Sequence, residues 1–68
     1  MKPPTKLRYD SLSDRHRLGH WELHCGDCFQ VRWAGRWIDV RIEMAGRDWY
    51  LVGCPAGYLD GLEARAYD

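Results

Sequence analysis

No stretch of this 68-residue chain approaches the ~20 consecutive apolar residues that cross a bilayer as a helix. No G-x-x-x-x-G-K or G-x-G-x-x-G phosphate loop is present. There is no internal repeat, no low-complexity tract and no second C-x-x-C. Charge of either sign is not in excess, since ten Lys and Arg balance ten Asp and Glu. That neutrality removes any long-range attraction to nucleic acid or an anionic membrane, leaving room only for a local basic patch. The start, "MKPPTKLRYD", is positive but has no apolar segment behind it, so it does not read as a signal peptide. Three cysteines cannot all pair within one chain. With no export signal, they fit free thiols in a reducing cytoplasm.

What is present is a composition that folds. Hydrophobic residues make up 46% of the chain, with four Trp and four Tyr. A domain of this size buries only roughly 60% of the surface its unfolded chain exposes. It nets ~3–5 kcal/mol from its core. A core and a deep catalytic pocket compete for the same few residues, so no enzyme is expected. Met1 to Thr5, with Pro3 and Pro4, reads as a flexible leader, and residues 6–68 as a single domain.

Turn signals recur every ~8–12 residues, the rhythm of an all-β sandwich or barrel. "KLRYD" and "RHRLG" alternate apolar and polar positions around "SLSD", whose side chains favour a turn. A short helix over Ser11–Arg17 is the alternative. The clearest pair is "CFQVRWAGRWIDVRIEM". Ala34-Gly35 makes a two-residue hairpin loop, Gly supplying a positive φ. That register sets Val31 against Ile38 and Phe29 against Val40 on one face. The other face carries Arg32 opposite Trp37, Gln30 opposite Asp39 and Cys28 opposite Arg41. At "MAGRD" a two-residue loop on Ala45-Gly46 would oppose Glu43 to Asp48, so a loop of three or four residues is expected. Which of Trp49 and Tyr50 faces the core depends on that loop. "DWYLVG", apolar on both faces, reads as a central strand. "LEARAY" closes the chain with Leu62, Ala64 and Ala66 alternating against Glu63, Arg65 and Tyr67. About five or six short antiparallel strands in so few residues favour a small closed or partly open barrel.

The run "GDCFQVRWAGRWIDVRIEMAGRDWYLV", Gly26 to Val52, resembles the central meander of SH3-like barrels, particularly the Tudor-like kind. There a G-D-x-hydrophobic-x-V strand leads to G-x-W-x-x-x-R-I and then to an aromatic strand. This resemblance implies an SH3-like barrel. The chain as a whole resembles a small uncharacterised bacterial family with "LHCGD", "G-x-W-x-x-x-R-I-E" and "WYLVG", here Leu23–Asp27, Gly35–Glu43 and Trp49–Gly53. That second resemblance carries no assigned activity.

Cys25 and Cys28 have zinc-knuckle spacing, and Cys54 with His20 or His24 could complete four ligands. Alternation from a core-facing Leu23 puts Cys25 inward and Cys28 outward, which splits the pair. Phe29 also stands where a knuckle usually has Gly. Cys25 is therefore expected as a buried thiol packing like a small hydrophobe, and no cofactor is expected. A redox C-x-x-C needs a helix after it, and none is expected after Cys28. His24 and Cys25, adjacent on a strand, point to opposite faces and cannot act as a nucleophile–base pair. Asp39 and Glu43, flanking Arg41, read as a solvated ion-paired face. The polar face of the hairpin remains, with Arg32 beside Trp37 as a cation–π pair. Asp39, Arg41 and one of Trp49 or Tyr50 extend it, and Tyr58 comes to its edge. Exposed aromatics with Arg are what recognition surfaces are made of. The expected function is a non-enzymatic binding module for a protein or peptide partner. A single-stranded nucleic-acid or RNA-binding module and a small zinc-stabilised domain are the alternatives. The competing reading for Trp37 is a second-layer core residue beneath the N-terminal hairpin.

Overall fold

The computed structural model describes all 68 residues and contains seven strands and no helix. These are β1 (Thr5–Asp10), β2 (Arg15–Leu18), β3 (Trp21–Glu22), β4 (Cys28–Trp33), β5 (Arg36–Ala45), β6 (Asp48–Val52) and β7 (Glu63–Arg65). All pairings are antiparallel. They run in the order β3-β2-β1-β7-β4-β5-β6, one sheet curled into a half-barrel. Two very short strands, β3 and β7, bring the number to seven.

The β4–β5 hairpin has the register its sequence predicts, from Trp33 opposite Arg36 to Cys28 opposite Arg41. Ala34 (φ 52°) and Gly35 (φ 77°) are both left-handed. A type I′ turn needs that geometry, and its twist matches that of the flanking strands. The β5–β6 turn corrects the expected loop of three or four residues. It has two residues, but they are Gly46 and Arg47, one position later than Ala45-Gly46. Ala45 pairs with Asp48 and Glu43 with Tyr50, so the Glu43–Asp48 clash never arises. Gly46 (φ 62°) supplies the positive φ at the first turn position. This register puts Leu51 and the half-buried Trp49 on the core side, and leaves Tyr50 and Val52 exposed. β6 is also the last strand of the sheet, not a central one.

β1 and β2 pair with Leu7 opposite Leu18 and Tyr9 opposite His16. Their link, Ser11–Asp14, is a turn rather than a helix: the Leu12 N–H donates to Asp10 Oδ1 at 2.9 Å. β7 sits between β1 and β4, and its Ala64, fully buried, pairs with both Thr5 and Val31. Thr5 belongs to β1. Ahead of it, the Lys2 N–H donates to the Ala66 carbonyl at 3.0 Å.

The concave side of the sheet holds the core. Phe29, Leu7, Leu23, Ile42 and Val31 are its largest fully buried side chains. Truncating one Phe of this kind to Ala costs about 3–5 kcal/mol, comparable with the net stability of such a small domain. Gly53 fixes where β6 ends. Its φ is +103°, and a Cβ there would stand 2.8 Å from the Asp39 carbonyl oxygen. Only Gly allows that approach, after which the chain turns inward to the buried Cys54.

Candidate functional site

Alternation along β4 and β5 projects Gln30, Arg32, Trp37, Asp39 and Arg41 from the convex face. The guanidinium carbon of Arg32 is 5.7 Å from the Trp37 ring centroid, and that of Arg65, from β7, is 4.1 Å away. Trp37 is half-buried, with these two cations against its ring. Beside the stack runs a hydrogen-bonded row. Arg65 Nε donates to Gln30 Oε1 at 2.8 Å, and Gln30 Nε2 donates to Asp39 Oδ1 at 2.9 Å. The Tyr67 hydroxyl donates to the same carboxylate oxygen. The Tyr67 and Gln30 bonds hold the Asp39 carboxyl below the usual range. The carboxylate in turn pushes the Tyr67 phenol up to about 12, because its hydrogen bond is lost on ionisation. Arg41 is paired with Glu43 at 2.7 Å. Arg32, Arg36 and Arg65 take part in none of the ion pairs of the molecule. At the end of the hairpin a shallow depression of about 520 Å³ is lined by Trp33, Ala34, Arg36, Trp37, Ile38 and Asp39.

A second, larger groove of about 790 Å³ lies beyond β6, walled by Trp49, Tyr50, Tyr58, Tyr9, Asp14 and His16 among others. Trp49 Nε1 donates to the Asp14 carbonyl at 2.9 Å, and Arg15 stands 5.7 Å from the Trp49 ring. The Tyr9 hydroxyl donates to the Asp14 carboxylate, which raises the Tyr9 pKa. His16 is only 7% exposed and its Nδ1 has no hydrogen-bond partner. Burial pushes its pKa down, against the opposing charges of Asp60 and Asp14.

The expected site residues therefore fall into two groups. Arg32, Trp37, Asp39 and Arg41 share one face. Trp49 and Tyr58, the latter 76% exposed, line the groove instead. Tyr50 borders both, opposite Glu43 on the convex side and on the rim of the groove. Arg65, Gln30 and Tyr67 complete the convex face and were not singled out from sequence. The alternation of "LEARAY" does place Arg65 outward, but nothing local says that β7 lies beside β4.

The thiols do not converge. Cys54 is buried, while Cys25 and Cys28 are both exposed, which corrects the expected burial of Cys25. A tight turn intervenes: the His24 N–H donates to Asp27 Oδ2 at 2.7 Å and the Asp27 N–H to the His24 carbonyl at 3.0 Å. With Gly26 at φ 92°, strand alternation ends at Leu23. No three His, Cys, Asp or Glu side chains come together in a way that could hold a metal ion.

A protein from Ruminococcus gnavus, known from its crystal structure, is similar to this chain. The two share 42% sequence identity over 93% of this chain and 99% of that one, with a TM-score of 0.83. No curated protein matches the sequence. Residues 5–66 match DUF5348, described as a domain of unknown function. With a match over nearly its full length, and that structural relative beside it, the chain belongs to the DUF5348 family.

Proposed function

We propose that this chain is a non-enzymatic binding module that recognises a peptide segment of a protein partner through the aromatic and Arg surface of β4, β5 and β7. The observation that carries the reading is the stack of Arg32, Trp37 and Arg65, whose cations have no carboxylate partner. Trp and Arg are the residues most enriched where binding energy concentrates. Asp39 at the centre of the face is held ionised by Tyr67 and Gln30, which suits a positioning group rather than one that exchanges protons. The SH3-like resemblance of Gly26–Val52 fits a module of this kind, and the two exposed thiols fit a reducing, cytoplasmic setting.

Selection from a random peptide library tests the reading. The wild-type protein should enrich a common sequence pattern, and Arg32→Ala with Arg65→Ala should abolish that enrichment while the fold is kept. Enrichment that survives both substitutions, or none with the wild type, rules it out. The same two Arg and Trp37 also favour a second reading, stacking on an unstacked single strand of RNA or DNA. Trp fluorescence titrated with single-stranded oligonucleotide at low and raised salt distinguishes it. A zinc-stabilised domain has the least support, because Cys54 is buried while Cys25 and Cys28 are exposed.

A further inference from the structure

We infer that the partner segment docks as an added β-strand along the open half of β5, Arg36 to Asp39, and that it alternates acidic with apolar side chains. This rests on the peptide-binding reading above and specifies how the peptide is held.

The backbone directions follow from Ile42. Its N–H donates to the Asp27 carbonyl at 3.0 Å, and its carbonyl accepts from the Gly26 N–H at 2.9 Å. Ile42 thus turns both groups to the β4 side. In an antiparallel ladder this direction alternates with period two. Val40, Ile38 and Arg36 therefore also bond towards β4, while Ala45, Glu43 and Arg41 bond towards β6. The same alternation turns Trp37 and Asp39 to the β6 side. There β6 has already ended, since its last pair is Val52 with Arg41. Gly53 closes against the Asp39 carbonyl and the chain leaves. The N–H and carbonyl of Trp37 and the N–H of Asp39 remain at an open edge. No turn, loop or side-chain hydrogen bond reaches them.

An open edge of this kind is a template for another strand, and natural proteins normally blunt it with Pro, a bulge or a covering segment. The β4–β5 register runs unbroken through this stretch, and it contains no Pro. The depression at the hairpin end lies along the same residues. The free edge of β6 offers less: Leu51, which faces it, is 5% exposed. Strand addition draws affinity from main-chain hydrogen bonds and specificity from alternate side chains.

Those side chains are set by the two faces of β5. On the convex face an added strand lies along Trp37 and Asp39. Inward of them, on β4 and β7, Arg32 and Arg65 flank the Trp37 ring as cations without ion-pair partners, and the Asp39 carboxylate is turned to Tyr67 and Gln30. On the other face it meets Ile38, with Arg36 and Trp33 at the hairpin end of the same depression. Long carboxylate side chains reaching past Trp37 towards Arg32 on the first face, and apolar groups against Ile38 on the second, give a Glu-Val type of alternation. A nucleic-acid strand would satisfy the cations but not the alternating backbone groups.

The probe is the acetylated, amidated peptide Glu-Val-Glu-Val-Glu-Val, titrated into the ¹⁵N-labelled full chain and followed by NMR. Expected are shifts centred on Trp37 and Asp39 and exchange of these two amides slowed about tenfold or more. N-methylation of the peptide at the amides facing β5 should weaken binding by about tenfold or more, and the Lys-Val counterpart should not bind. Equal binding of the N-methylated peptide overturns strand addition but leaves peptide recognition standing. Failure of the Glu-Val peptide, with library-selected peptides still bound, does the same. Failure of both removes the underlying reading too. Binding of the Lys-Val peptide, or displacement of the Glu-Val peptide by a single-stranded oligonucleotide, overturns the assigned chemistry. Protection of Trp37 and Asp39 that grows with protein concentration alone makes a second copy of the chain the occupant, and also overturns it.

Discussion

The guanidinium carbon of Arg65 stands 4.1 Å from the centroid of the Trp37 ring, although the two residues lie on strands that do not pair. β4 separates them, and the contact ties β7 to β5 across its convex face. A partly exposed cation–π pair contributes about 0.5–1 kcal/mol. A double-mutant cycle of Arg65→Ala and Trp37→Leu, read from urea unfolding by circular dichroism, should give a coupling of that size. Purely additive substitutions would show that the contact contributes nothing.

Gly53 carries a sharper penalty. Its φ of +103° and the mere 2.8 Å that would separate an added Cβ from the Asp39 oxygen leave no place for a methyl group. Gly53→Ala should destabilise the fold by about 1–3 kcal/mol from backbone strain alone, with the clash adding to that. A variant as stable as the wild type would mean that β6 does not end as described.

His16 makes stability depend on pH in a defined direction. Burial lowers its pKa in the fold, below the ~6.5 of an unfolded chain. Its contribution is complete above that unfolded value and is lost as pH falls through it towards the folded one. The urea midpoint should therefore drop between pH 7.5 and pH 5.5, and His16→Leu should flatten the drop. The same drop in both proteins would acquit His16.

The Asp39 carboxylate gives a local titration. Tyr67→Phe removes the first of the two hydrogen bonds that hold its pKa down. The Asp39 pKa, followed by NMR of the side-chain carboxyl, should rise towards the ordinary Asp value. An unchanged pKa would place the Tyr67 hydroxyl elsewhere. The same interaction stabilises the fold above the unfolded Asp pKa, and it fades as pH falls through the lowered folded value.

Much of this arrangement can be read from local sequence, and the failures have identifiable causes. The β4–β5 hairpin was legible because Ala34-Gly35 permits one turn and both faces agree with it. The β5–β6 turn was not, since Gly46 serves as well at the first loop position as at the second, and only the pairing of Glu43 with Tyr50 decides. Strand alternation points Cys25 inward, but the Asp27 side chain folds this stretch into a turn and the thiol is exposed. Arg32 beside Trp37 followed from register. Arg65 and Tyr67 did not, because their places depend on β7 inserting between β1 and β4, a long-range choice with no local signal.

The open half of β5 is tested most directly by amide hydrogen exchange in the free, dilute protein, with no partner required. Trp37 and Asp39 should exchange rapidly, while Ile38 and Val40, bonded towards β4, should be protected. If Trp37 and Asp39 are as protected as Ile38, the edge is already occupied and the proposed site does not exist.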